Sequence, residues 1–304
     1  MRRPRSVLRT ATAVLLSSIL LSGCAIQAHG ATGLRRARGG FTALGPQMPA
    51  PNARPVAAEA ALDGVDARMQ LATVQAAEKG ATISVLVLDR TTGRTVSNGN
   101  NSEIATASVA KLFIADDMLY QASTEHGQLS PDDRKALDLM LEASDDDAGE
   151  AFWGRGGGSD IVTRVASRYG LPSTGPGDDG RWWNTTTTAS DLARYYDMLL
   201  DGKGGLMLEA ADIIVDDLAQ STPQGVDGYP QRFGIPDALY GEPVAVKQGW
   251  MCCIGDDWMH LSTGVIGADH RYVMVIESLQ DSDDSTARNT ITEAVKTMFP
   301  NGRI

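Results

Sequence analysis

Thr106-Ala107-Ser108-Val109-Ala110-Lys111-Leu112-Phe113 is the stretch from which the fold of this 304-residue chain can be read. Val109, Leu112, Phe113, Ala115 and Leu119 recur at helical spacing, which predicts a helix beginning near Ser108. Ser108 and Lys111 then stack on one face of that helix. A serine hydroxyl is a weak nucleophile until a base takes its proton. A lysine desolvated at a helix start can lose its own proton and serve as that base. The same tetrapeptide also describes an N-cap serine followed by a surface lysine, so its context decides.

Upstream, Arg2, Arg3, Arg5 and Arg9 make a basic start, and residues 11–21 are apolar but too few to span a bilayer. The run closes on Leu21-Ser22-Gly23-Cys24, which resembles a bacterial lipobox, in which the cysteine is lipid-modified and becomes the mature N-terminus. Residues 1–23 therefore read as a signal peptide. Cys24 reads as the lipidation site that holds the protein on the extracytoplasmic face of the cell membrane. Residues 24–55 are rich in Ala, Gly, Pro and Gln without a period, the composition of a disordered tether.

The remainder is long enough to bury a substantial core. Eight arginines and no acid lie in the first 55 residues, so a net charge of −11 for the chain leaves −19 on the rest. Such a body repels phosphate backbones, and nucleic acid is excluded as a partner. Besides Cys24 the cysteines are Cys252 and Cys253. Adjacent side chains in a strand point to opposite faces, so two free thiols are expected unless a turn brings them together.

Downstream of residue 55 the pattern predicts a helix over 56–79, with Leu62, Val65, Met69, Ala72 and Ala76 on one face, and strands over 81–88 and 94–97. Helices follow after the nucleophile stretch: 131–143 behind Ser130-Pro131, 160–169 capped by Ser159, 191–200, and 208–219. Strands return over 243–247, 258–266 and 272–277, and Ser285 is expected to cap a last helix to 299. Strands at both ends with helices between predict an antiparallel sheet built from the two chain ends, with an inserted helical lobe. The division is an α/β lobe of 56–105 and 225–304 and a helical lobe of 106–224.

In that order three motifs fall into place: Ser108-Val109-Ala110-Lys111 at a helix start, Ser144-Asp145-Asp146 at a helix-to-loop junction, and Lys247-Gln248-Gly249 on a late strand. The chain resembles the serine β-lactamase and penicillin-binding protein superfamily, nearest to the class A β-lactamases. The resemblance implies an α/β (α+β) fold of the β-lactamase/DD-peptidase kind. It makes Ser108 the acylated nucleophile, Lys111 its base, and Ser144 the proton donor to the leaving group. Asp146, Lys247, Gln248, Gly249 and Trp250 would bind substrate, and the backbone N–H groups of Ser108 and Trp250 would form the oxyanion hole. The implied partners are β-lactams or D-Ala-D-Ala-like cell-wall peptides, with no cofactor and no metal.

The chain departs from the pattern in places. Asp146 stands where the family has asparagine, Gln248 where it has a hydroxyl, and Trp250 where it has a small residue. Ser108 and Ser144 are closer in sequence than in class A enzymes. Those enzymes carry a deacylating glutamate on a long loop, whereas here residues 171–184 are few and hold only Asp178 and Asp179. Acylation with weak or no deacylation is the expected activity; a silent cleft that binds a wall fragment or envelope protein is the alternative. Trp182 and Trp183 are expected to seal the lobe interface. Asp145, Asp146 and Asp147 lack EF-hand spacing and are expected at a solvated helix end, and Gly156-Gly157-Gly158 is a turn rather than a phosphate loop. His29, His126, His260 and His270 show no metal spacing.

Overall fold

Alternation along the central strands sorts their side chains between two apolar clusters. On β7 (Tyr272–Gln280), Val273 and Val275 face one cluster while Met274 and Ile276 face the other. With both faces covered, such strands read as continuous apolar runs rather than as half-exposed ones. The computed structural model describes residues 62–124, 127 and 129–304, all within one compact unit, Asn52–Ile304. The signal segment, Cys24, the tether, His29 and His126 lie outside the described residues.

The sheet is antiparallel with strand order β2-β1-β7-β6-β5. The other strands are β1 (Ala81–Asp89), β2 (Arg94–Ser97), β5 (Val244–Ile254) and β6 (Asp257–Ile266). Early and late strands alternate as expected from the two chain ends: β1 pairs with β7 from Ala81↔Gln280 to Asp89↔Tyr272. One sheet face is covered by α1 (Val65–Glu78) and the terminal α9 (Asp284–Met298), through Met69, Ala72, Ile291 and Val295. A short α8 (Ile235–Ala238) adds to the same side.

The opposite face carries the helical part. It comprises α2 (Ala110–Thr124), α3 (Pro131–Glu142), α4 (Asp146–Arg155), α5 (Asp160–Tyr169), α6 (Ala189–Leu200) and α7 (Leu208–Ala219). A two-stranded ladder, β3 (Ile104–Ala105) with β4 (Thr186–Thr187), ties the approach to Ser108 to the loop before α6. Helix α2 is buried on nearly all sides, as a helix at the centre of a bundle is. Its Asp117 is gripped by the Arg164 guanidinium at 2.9 and 2.6 Å, which locks α2 against α5.

Several local expectations need correction. Among the described residues the first helix starts at Val65, where Gly64 at φ 70° turns the chain just before it; Leu62 is buried but outside that helix, and residues 56–61 of the expected span lie outside the described residues. The helix before Asp145-Asp146-Asp147 ends at Glu142 and Asp146 and Asp147 are solvent-exposed, but the run also opens a further helix. Asp145 accepts a hydrogen bond from Ala148 N at 2.7 Å and caps α4, which the pattern did not predict. Ser159 makes no capping hydrogen bond, and the cap of the last helix is Asp283, accepting from Thr286 N, rather than Ser285. Strand β5 continues well past Lys247, through Trp250 to Ile254.

Candidate active site

Ser108 sits in a 3₁₀ turn, Ala107–Val109, that runs directly into α2. Ala107 holds a φ of 43° and Ser144 one of 58°; with His270 they are the only non-glycine residues at positive φ among those described. Two of the three flank the group of interest, the pattern expected where backbone strain is retained for function. Opposite the turn runs β5. A Cβ on Gly249 would lie 2.5 Å from the Thr106 carbonyl oxygen, so only glycine lets the strand pass the turn this closely. Gly249→Ala is therefore expected to push β5 away from Ser108. It should cost about 1–3 kcal/mol of stability and remove any Ser108 reactivity, as thermal melts and mass spectrometry of a labelled sample would register.

Four polar side chains meet behind this turn. Lys111 Nζ lies 2.9 Å from Ser108 Oγ, 2.9 Å from the Ser144 carbonyl oxygen, 3.4 Å from Ser144 Oγ and 2.5 Å from Asp146 Oδ1. Lys247 Nζ donates to Ser144 Oγ at 2.8 Å. A continuous path thus runs from Ser108 through Lys111 and Ser144 to Lys247, and all four are buried. Gly149, on α4, leaves the space for the Lys111 side chain, since a Cβ there would lie 3.1 Å from Lys111 Cε. Burial pushes the Lys111 ammonium below its ordinary value, and the Asp146 carboxylate opposes the shift. Burial, joined by the Lys111 charge, pushes Lys247 well below its own. Among the described residues no carboxylate pairs with Lys247.

In front lies a cleft of about 280 Å³, lined by Ser108, Asp146, Asp227 and three tryptophans, Trp182, Trp183 and Trp250. Trp182 does more than seal an interface: its ring lies 4.5 Å from Lys111 Nζ, and its indole N–H donates to Glu150 Oε2 at 3.1 Å. Trp250 stacks on Tyr229 with ring centroids 4.4 Å apart and planes inclined by 6°. The Tyr229 hydroxyl bonds to His260 Nε2 at 2.7 Å and to Asp284. Burial pushes the His260 imidazole down to about 4, so it is neutral at physiological pH. Asp227 and Tyr229 lie in a turn-rich stretch, residues 225–236, where the sequence carries no motif that points to them.

Two sequence-predicted groups fall elsewhere. Gln248 is fully buried, and its amide donates to the carbonyls of Gln231 and Phe233, so it braces a loop and does not face the cleft. Asp178 is exposed beside a neighbouring hollow, and Asp179 is engaged by Arg181 N and the Asn184 amide. Neither carboxylate lines the Ser108 cleft. The expectation of two free thiols is also corrected. The ladder shifts register between Cys252 and Ile254, the alternation of faces breaks there, and Cys252 and Cys253 are joined as a disulfide at the cleft edge. Among the described residues no group of three or more His, Cys, Asp or Glu is placed to hold a metal ion. None of the described helices is long and apolar enough to cross a membrane.

No protein-family model matches the chain. The lipoprotein LppW of Mycobacterium tuberculosis and that of Mycobacterium bovis are each 68% identical over 237 residues, which cover 78% of this chain and 76% of theirs. Among solved structures, a class A β-lactamase from Mycobacterium abscessus aligns with a TM-score of 0.62 at 19% identity, over 77% of this chain and 98% of that one. A β-lactamase from Chitinophaga pinensis gives 0.61 at 14% identity, over 77% and 98%. A PBP-A mutant, solved as an acyl-enzyme complex with penicillin G, gives 0.63 at 17% identity, over 78% and 95%. At these identities the structural likeness is one of fold.

Proposed function

The chain belongs to the family of the mycobacterial lipoprotein LppW, folded as serine β-lactamases and penicillin-binding proteins are, and on that premise we propose an envelope lipoprotein whose Ser108 is acylated and only slowly released. The observation that carries this reading is the path Ser108–Lys111–Ser144–Lys247, closed by contacts of 2.9, 3.4 and 2.8 Å. In its neutral form Lys111 takes the Ser108 proton as Oγ attacks an acyl carbonyl. The negative oxygen that forms is received by the N–H groups of Ser108 and Trp250, each such donor being worth roughly 10²- to 10³-fold in rate. Ser144 Oγ passes a proton to the leaving group, and Lys247 beside it stabilises the hydroxyl as it gives that proton up.

β-Lactams and D-Ala-D-Ala-like wall peptides are the acyl donors to which such a site answers. Slow release follows from the loop of residues 171–184, which presents Trp182 rather than a carboxylate to Lys111. In this reading Cys24 is lipidated, residues 1–23 are its signal peptide and 24–55 a tether, which puts the cleft on the extracytoplasmic face.

Intact-mass spectrometry after incubation with a penicillin, and separately with a neutral thioester, is the test. One covalent adduct per chain, absent from Ser108→Ala, is expected. Unmodified protein with both reagents would favour a second reading, a binding module that keeps the cleft without turnover. Asp146, at 2.5 Å from Lys111 Nζ, is the observation behind that alternative, because it holds the proton on the base.

A further inference from the structure

We infer that the acyl donor this site prefers carries a positive charge, an ammonium group, rather than the carboxylate of a β-lactam or a peptide C-terminus; the inference rests on the acyl-transfer reading above. Two carboxylates face the cleft. Asp146, paired with Lys111 Nζ at 2.5 Å on one side, leaves 70% of its side chain exposed, and Asp227 is exposed and, among the described residues, accepts from Tyr229 N. No lysine, arginine or histidine lines the cleft among the described residues. Lys111 and Lys247 stand behind Ser108, at most 1% exposed, with their ammonium hydrogens turned to Ser144, Ser108 and Asp146.

The residues that would meet a ligand carboxylate are likewise spoken for. Gln248 donates to two loop carbonyls on the other side of the sheet. Arg288, whose guanidinium lies over the Tyr229 ring at 5.3 Å, is paired with Asp284. Arg181, at the rim beside Trp183, is paired with Asp179 at 3.6 Å. What remains in front of the nucleophile is aromatic surface from half-buried Trp183 and Trp250 together with anionic charge. Aromatic faces beside carboxylates attract ammonium groups and repel carboxylates.

The chemistry keeps its balance with such a donor. The Ser108 Oγ–carbon bond forms, the bond from that carbon to the leaving group breaks, and the Ser108 proton ends on the leaving group. Three thioesters with six-carbon acyl chains test the preference, those of 6-aminohexanoate, hexanoate and adipate, which end in an ammonium, a methyl and a carboxylate. The 6-aminohexanoyl thioester should acylate Ser108 roughly tenfold faster than the hexanoyl one, with the adipoyl thioester slowest. Asp227→Asn should compress that spread, and added salt should narrow it.

The corresponding primary amides, which do not react, give a second readout through tryptophan fluorescence. The ammonium amide should bind more tightly than the other two. Equal affinities, a reversed order, or no saturable binding of the ammonium amide would overturn the inference. Absence of any Ser108 adduct would overturn the acyl-transfer reading alone, and the amide series would still decide the charge preference.

Discussion

Lys247→Met is expected to raise the unfolding temperature of the protein while suppressing acylation of Ser108. The ammonium it removes is 1% exposed and, among the described residues, touches a hydroxyl but no carboxylate. Desolvation and the neighbouring Lys111 both push it toward the neutral form. Replacing a poorly compensated buried charge by an apolar side chain of similar volume typically gains about 1–4 kcal/mol. The lost hydrogen bond to Ser144 offsets about 1 kcal/mol of this. At about 2–4 °C per kcal/mol for a body of this size, the gain is easily measured.

The pH dependence has a definite sign. A lysine whose folded value lies below its unfolded value of 10.5 binds more protons in the unfolded chain between the two. Stability therefore rises with pH across that window. Lys247→Met should flatten the rise, read as a variant minus wild-type difference in melting temperature that shrinks as pH climbs. A pH-independent difference, or a destabilised variant, would contradict the account of Lys247. Acylation should fall roughly 10²- to 10⁴-fold, the range of a positioned proton donor or acceptor.

The second large effect concerns release. A burst of one equivalent of leaving group, followed by a nearly flat line, is expected with any donor that acylates Ser108. A general base must lie within about 2.6–3.2 Å of its water, directly or through one relay. Asp178 and Asp179 do not line the cleft; of the two carboxylates that do, Asp146 is committed to Lys111 at 2.5 Å and Asp227 accepts from Tyr229 N in its own loop. Without such a base, release should be roughly 10²- to 10⁴-fold slower than with one. Following the adduct mass after removal of excess donor measures this directly. Steady turnover through many cycles would mean that Asp146, or another carboxylate, activates water after all.

The parts of the fold that the sequence made legible are those governed by periodicity. The α7 boundaries, the β1 and β6 runs and the order of elements follow from 3.6- and 2-residue patterns that burial enforces. The motif serines and lysines were legible for a related reason: each stands at an element boundary that its neighbours announce. What escaped depends on backbone turns that no periodicity records. Ser144 at φ 58° reverses the chain, so that Asp145 opens α4 immediately after the end of α3, a helix that no periodicity announces. The bulge after Cys252 brings two adjacent sulfurs to one side. Gln248 shares a motif with Lys247 but, one residue along a strand, faces the other way, which the alternation itself predicts. Asp227 and Tyr229 lie in an irregular segment and gain meaning only beside Trp250.

The strand order carries a consequence for how the chain is made. Strand β7 is the centre of the sheet, yet it is the last of the sheet's strands in chain order, and without it the β1–β2 ribbon and the β5–β6 ribbon have no shared neighbour. A lone two-stranded ribbon is marginal in water, and pairings between distant parts of a chain form slowly. A chain still on the ribosome therefore lacks a completed sheet until β7 has emerged. The order of strands makes sheet closure a late event, and a premature stop before Tyr272 would leave two half-sheets without the strand that joins them.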